Sequence, residues 1–235
     1  MSEIFLKLRI KEMLEGKMKR YLIFGLVEVF LVVAGILIAL SINNWDIKKS
    51  QRTDELKIYE NINNRIKEDK KELQGSIDLN NTLYAKFTFA NQIIIENDRS
   101  KLDTLIQIAP ELFNYSDFNR SSNVYQNLIN SGDLKLLNNT TIITMLQDLE
   151  EAYIYLNRME TIHQQIILDF IGPLVLNNID LSSGIAEKPD DLYTFQFQNL
   201  ILVSIGLMEE KDMIYQRAVR KIDDISQLIE EELKQ

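Results

Sequence analysis

The chain has 235 residues, 46% of them hydrophobic and 26% charged, with eight Gly and three Pro. That length buries a core without staples, and that composition excludes both disordered and collagen-like chains. The absence of Cys and the single His exclude thiol catalysis, Cys-ligated zinc, iron–sulfur clusters and His-rich metal sites. The net charge of −9 is split unevenly: residues 1–49 hold eight Lys and Arg against five Asp and Glu, which leaves 18 against 30 for the rest. An acidic body offers no clustered basic surface to displace counterions from a phosphate backbone, so nucleic acid is not an expected partner.

Residues 1–20 form a basic segment. Within it, residues 3–15 interleave Ile4, Phe5, Leu6, Leu8, Ile10, Met13 and Leu14 with basic residues. That pattern suits a helix lying on an anionic membrane surface, or a short cytoplasmic helix packed on a partner.

Residues 21–45 read as a transmembrane helix. From Tyr21 to Ile42 the only charge is Glu28. At 1.5 Å per residue the run spans roughly 33 Å, the thickness of a bilayer's hydrocarbon core. Tyr21 and Trp45 bracket it, with Asn43 and Asn44 where the helix would leave the lipid, and all four are expected as interfacial anchors. A cleaved signal peptide would have a shorter apolar run, and a soluble core helix seldom carries so long an all-round apolar surface. Lys7, Arg9, Lys11, Lys17, Lys19 and Arg20 precede the span, and Lys48, Lys49, Arg52, Lys57 and Arg65 follow it, so the count hardly discriminates. Because the basic KMKR abuts the span directly, the N-terminus is expected in the cytoplasm.

Inside the span Glu28 requires a reason, since a carboxylate at that depth costs about one to three kcal/mol unless paired or protonated. It could line an ion pathway, hydrogen-bond across an assembly, or snorkel to basic residues near the interface. Gly35 and Ala39 form a small-xxx-small pair that would let a second helix approach.

Beyond the span, Leu56, Tyr59, Asn63, Ile66, Lys70, Leu73 and Ile77 recur at spacings of three and four, a coiled-coil-like seam with polar interruptions. Residues 46–80 therefore read as a helical stalk continuing the span. Residues 81–235 read as a helical bundle. Its first helix covers Leu83 to Ile95, closed by Asn97-Asp98 and a Ser100 cap, with Pro110 as the next break. Ser121 or Ser122 caps a helix to Ser131, with Gly132 in the left-handed position behind it. Asn139 or Thr140 opens a longer helix through Ile142, Ile143, Leu146, Leu149, Tyr153, Leu156, Met159, His163, Ile166 and Phe170, ended or kinked by Gly172-Pro173.

Residues 181–191 are the clearest loop, and Tyr193, Phe195 and Phe197 alternate too briefly to claim a sheet. The last helix, about 198–233, carries Ile201, Ser204, Met208, Lys211, Tyr215, Ala218, Ile222, Ile225, Ile229 and Glu232 on one seam. Pairing it antiparallel with the stalk would bury both seams and bring Ile229 near Leu56. The fold expected is all-α, one transmembrane helix continuing into a stalk plus an extramembrane antiparallel helical bundle.

The segment GLVEVFLVVAGILIALSINNW, residues 25–45, resembles the signature of a family of uncharacterised bacterial envelope proteins. Its pattern runs Gly-x-x-Glu-x-x-Leu-Val-Val-x-Gly-Ile-Leu-Ile-Ala-Leu-x-Ile-Asn-Asn-Trp behind a short basic segment; many relatives set the glycine directly before the glutamate, whereas Gly25 of this chain stands three residues before Glu28. NSGDLKLL at 130–137 resembles that family's extramembrane turn. The resemblance implies a single-pass membrane protein of the bacterial envelope with a helical domain of unknown function; with the N-terminus in the cytoplasm, the expected place is the inner membrane, with the helical domain periplasmic. It implies no activity and no catalytic residue.

For chemistry, Glu160 and His163 form Glu-x-x-His, the spacing of di-iron bundles. Such sites need a second copy of the motif and two further carboxylates, so His163 is expected as a hydrogen-bonded core residue. No phosphate loop, nucleophile elbow or zinc spacing occurs. The sequence thus points to a non-enzymatic interaction or scaffold protein without cofactor or metal. Its expected partners are the lipid bilayer, itself, and another membrane or envelope protein. A subunit of an ion-conducting or proton-driven assembly using Glu28 is the alternative, and an enzyme in the helical body is a third reading.

Overall fold

The computed structural model describes the backbone of residues 2–120 and 123–234, with side chains from residue 22 onward apart from 24. Among the described residues the chain is all-α except for a small hairpin of two two-residue strands. Its helices are α1 (Ser2–Ile95), α2 (Leu102–Ile108), α3 (Val124–Ser131), α4 (Thr140–Ile166), α5 (Gly172–Asn178) and α6 (Phe195–Glu232). Two compact units divide inside α1, one ending at Asp54 and the other running from Glu55 to the C-terminus.

In the first unit the described apolar side chains stand open. Leu26, Phe30, Leu31, Ile38 and Ile42 are all more than half exposed. An 18-residue window of mean hydropathy 2.6 is wholly unburied, and the helix is long and apolar enough to cross a membrane.

The second unit begins inside the segment read as a stalk. From Glu55 on, the three-and-four periodicity of α1 is spent on a bundle core: Tyr59, Ile62, Ile66, Leu73 and Ile77 are buried, and the stripe continues through Leu83, Phe87, Ala90 and Ile93. The stalk was expected to end near residue 80 and a separate helix to begin at Leu83, yet α1 runs straight through that point, as it does through Gly75. A lone glycine costs about 1 kcal/mol in a helix interior. Burying one Leu or Phe from the flanking turns gains about 1.5 to 3 kcal/mol, so packing wins. The helix ends where Asn97 takes a left-handed conformation (φ 49°) and the Asp98 N–H reaches back to Ile93 O at 3.1 Å. Asp98, and not Ser100, is the next cap: its carboxylate accepts from the Ser100 N–H at 3.1 Å.

Lys67 pairs with Glu230 at 3.3 Å, Lys70 with Asp223 at 2.5 Å, Asn80 donates to Met208 O at 2.9 Å, and Gln198 donates to Asn91 at 3.1 Å. As α1 advances its partners on α6 recede, so the pair is antiparallel, as the two seams require. The ends of the two seams meet where expected: Leu56 packs on the cluster that holds Ile229, Asn139 bonds both the Tyr59 hydroxyl and Glu232, and Glu230 reaches Lys67 through two long side chains. α4 runs parallel to α1: Glu55 accepts from Asn138 N at 2.6 Å, and Asp69 lies beside Tyr153 about four turns further on. The long helices α1, α4 and α6 thus run up, up and down, and the irregular chain from α2 to Leu137 supplies the fourth, descending leg.

Asn139 caps α4 by accepting from Thr141 N at 3.1 Å and Ile142 N at 3.2 Å. Gly132 takes the left-handed position (φ 80°) behind α3 as expected. Ser121 and Ser122 lie outside the described residues, and Asn123 occupies the position before α3. α6 starts at Phe195, capped by Thr194, so the Tyr193–Phe197 alternation belongs to a 3-10 turn and a helix start. Within 181–191, Ile185–Ala186 pairs back on Ile179–Asp180.

α4 ends in a π turn over Ile167–Ile171. Pro173 lacks the N–H that would serve the turn before it, and the Gly172 N–H bonds instead to Ile167 O. A Cβ at Gly172 would lie 3.2 Å from that same oxygen, so glycine is what lets the wide turn close. The extra residue shifts the helical phase. Ile171 is buried in place of Phe170, which the straight period assigns to the core and which is 59% exposed.

Candidate functional site

Apolar packing in the body falls into two clusters. One joins Tyr59, Ile66, Leu73, Leu146, Leu156, Ala218 and Ile225; the other joins Leu83, Phe87, Leu112, Ile171, Val175 and Phe197. Between them lies a polar waist where Ser76 and Asn80 of α1, Glu160 and His163 of α4, and Lys211 and Tyr215 of α6 converge on the extended strap 114–120. Asn80, Ser116, Glu160, His163, Lys211 and Tyr215 are each at most 4% exposed.

The strap is held through its backbone. Lys211 Nζ donates to Ser116 O at 3.0 Å, the Phe118 N–H donates to Glu160 Oε1 at 2.8 Å, and Ser76 Oγ donates to Asp117 O at 3.4 Å. Ser116 Oγ donates to Asn80 Oδ1 at 3.2 Å and accepts from Tyr215 OH at 3.1 Å, and that phenol also lies 3.2 Å from Glu160 Oε1. An extended segment has no helical ladder, so its buried amide and carbonyl groups must find side chains, and these supply them. Arg120 closes the strap's end on Glu150 at 2.8 Å.

The electrostatics follow from enclosure. Burial pushes the Glu160 carboxyl up to about 7, against the Phe118 N–H that favours the anion. Burial pulls the Lys211 ammonium down to about 8, partly offset by Glu160 and Asp117. His163 is held down at about 3, first by burial and then by Lys211. Tyr215 is raised by burial. Burial thus disfavours the charged forms of both the Glu160 carboxyl and the Lys211 ammonium, next to an imidazole held neutral.

His163 corrects the expectation made for it. It is a core residue, fully buried against the Tyr115 ring at 5.3 Å between centroids, yet neither ring nitrogen has a hydrogen-bond partner among the described residues. Glu160 Oε2 is unpartnered as well. The Glu-x-x-His pair does share one face of α4, but an ammonium sits beside it, and no group of three or more metal-ligating side chains occurs among the described residues. Lys211 was readable only as a polar interruption of a seam. Asn80 stands three residues from both Ile77 and Leu83 and was readable only as one more polar position on that stripe, whereas Ser116 gave no periodic signal because the strap has no period.

On the apolar segment, Glu28, Gly35 and Ala39 fall within about 40° of one helical face at 100° per residue. Glu28 is exposed, and a Cβ at Gly35 would meet nothing within 4 Å. Asn43, Asn44 and Trp45 are exposed, and Lys49 Nζ lies 5.3 Å from the Trp45 ring centre. The Tyr21 side chain lies outside the described residues.

No curated protein and no solved structure matches the chain. A family model, described as a family of unknown function (DUF6090), matches residues 28–166, from Glu28 in the apolar segment to the end of α4. That match takes in more than half of the chain, which therefore belongs to this family of unknown function.

Proposed function

We propose that the chain is a single-pass protein of the bacterial inner membrane, with a cytoplasmic N-terminus and a periplasmic helical body, that acts without catalysis as an anchored interaction or scaffold module. It works as a homo-oligomer or as an accessory subunit of a larger membrane complex. The observation that carries this reading is the unburied apolar window of α1: a helix apolar on every face, with no protein covering it, has its free-energy minimum in lipid. The well-packed body with a closed polar waist supports a binding role over an open catalytic one.

The test uses the full chain in a bacterial host. It should stay with membranes through alkaline carbonate. A thiol placed by Ser2→Cys should be shielded from an impermeant maleimide, and one placed by Lys135→Cys should be labelled. Crosslinking in the membrane should then trap a defined multiple or a stoichiometric partner. Extraction by carbonate removes the anchor, and a strictly monomeric chain without any partner removes the scaffold role.

A second reading makes the chain part of an ion-conducting or proton-driven assembly. Glu28 on the same face as Gly35 and Ala39 favours it, because helices that close on the small residues would enclose the carboxylate. A lone span encloses no pathway, so this reading requires an oligomer or a polytopic partner. Glu28→Gln distinguishes the two: conduction or coupling is lost while assembly survives if the carboxylate carries protons.

A further inference from the structure

The basic residues that follow the apolar segment have no part in orienting it. With the body in the periplasm, orientation is set by the basic residues before the span, and basic residues just behind it work against that bias. Lys48, Lys49 and Arg52 nevertheless stand there, and they are not scattered around the helix. Trp45, Lys48, Lys49 and Arg52 occupy positions i, i+3, i+4 and i+7 of the unbroken α1, within about 100° of arc at 100° per residue. Asp46 and Asp54, the acids of the same stretch, fall outside that arc. Trp45 is 63% exposed, and both lysines are exposed beside it. Lys49 Nζ lies 5.3 Å from the centre of the indole ring, a cation–π contact that gathers the ammonium onto this face.

Depth adds a second argument. An indole prefers the edge of the hydrocarbon, and at 1.5 Å per residue Lys48 and Lys49 then rise about 5 to 6 Å above it. The headgroup layer is about 5 to 8 Å deep on each side of a bilayer, so the two ammonium groups fall among lipid phosphates. Arg52 starts about 10 Å above the ring and reaches down along its own stem.

We propose that this face of α1 binds the headgroup of an anionic phospholipid, with Lys48 and Lys49 on the phosphodiester and Trp45 beneath it. The inference rests on the reading of α1 as a membrane span. Charge decides the class of lipid. A zwitterionic headgroup carries an ammonium next to its phosphate, which the lysines repel, whereas an anionic headgroup brings negative charge alone. Because the acids point elsewhere, nothing on this arc offsets the preference, and each lysine contributes about fivefold to it.

Trp45 is the only tryptophan of the chain, which makes it the reporter. The full chain is reconstituted in mixed vesicles of phosphatidylcholine and phosphatidylglycerol, with bromine on the acyl chains of one lipid or the other, and quenching of the indole fluorescence gives the relative binding of the two. The parent should prefer phosphatidylglycerol by about tenfold or more, and Lys48→Gln and Lys49→Gln should each cut that preference about fivefold. Moving the charges to the opposite face, by adding Ile47→Lys and Gln51→Lys to that pair of substitutions, keeps the net charge and should not restore it. Equal quenching by the two brominated lipids overturns the proposal and leaves the span intact, while quenching by neither removes the span and the proposal with it. A preference that survives the double substitution, or that returns with the moved charges, belongs to the surface potential of the whole chain and overturns the site.

Discussion

His163 is fully buried with two unserved nitrogens, so its ring is a net cost to the fold. Leaving a buried polar group unpaired costs about 1 to 3 kcal/mol. His163→Leu should therefore stabilise the body by about that amount at pH 7, measured by denaturant unfolding of the full chain in detergent. Destabilisation would mean that the ring is satisfied by a bound water or a ligand. The pH dependence gives an independent check. The imidazole sits at about 3 in the folded protein against an ordinary 6.5, so the unfolded chain binds the extra proton and stability falls as pH drops from 6.5 toward 3. Glu160 has the opposite sign. Its carboxyl is raised from 4.5 to about 7, so the folded chain holds the extra proton and stability falls as pH rises from 4.5 through 7. Between 4.5 and 6.5 the two slopes oppose each other. Relative to the parent, Glu160→Gln should gain stability as pH rises through that window, and His163→Leu should gain as pH falls through it. Each difference is bounded by about 1.4 kcal/mol per pH unit, one proton's worth. Parallel curves for parent and variants would show that these groups titrate alike in the folded and unfolded chain.

At the scale of elements, what was legible followed from period. The seams on α1 and α6 were visible because straight helices carry a constant phase, and Ile201, Met208, Tyr215, Ala218, Ile222, Ile225 and Ile229 are buried as that phase requires. Period alone leaves register open, since a repeat of three and four matches itself at every turn; contacts such as Asn80 on Met208 O, and Asn139 bonding both Tyr59 and Glu232, mark it here. A short bis-maleimide should link Leu56→Cys to Ile229→Cys within one chain, as the packing of Leu56 on the cluster that holds Ile229 requires. Links formed only between chains, 56 to 56 and 229 to 229, would overturn the antiparallel pairing. The π turn was illegible for the converse reason. One inserted residue breaks the phase, and Phe170 is the residue misplaced by it. Gly172→Ala puts a Cβ 3.2 Å from Ile167 O and 3.7 Å from the Phe113 ring. It should lower stability by about 1 to 3 kcal/mol, the usual cost of overpacking, with the loss visible in the same denaturant titration. A neutral or stabilising outcome would show that the turn relaxes to a regular helix.

For the molecule as a whole, the polar waist raises the question of whether the two apolar clusters are separate folding units. Three facts argue that they are one. α1, α4 and α6 cross the waist or reach it without a break, so neither cluster can form without helix turns that belong to the other. The waist is bonded from all three helices to the strap, and melting one side would leave Lys211 and Glu160 buried without their partners on the other. Leu73 and Phe87, one in each cluster, lie on the same helix about four turns apart, a distance too short for one half to stay ordered cheaply alone. Leu73→Ala and Phe87→Ala, each at a fully buried position, should cost about 2 to 5 kcal/mol. Both should move a single transition, followed by far-ultraviolet circular dichroism and by tyrosine fluorescence on the full chain in detergent, and the two signals should stay superimposed. Two resolved transitions, with Leu73→Ala moving one and Phe87→Ala the other, would make the waist a boundary between independent units. The strap would then be a linker between them, and the buried Glu160 and Lys211 that hold it would have to be explained by something other than the cohesion of one core.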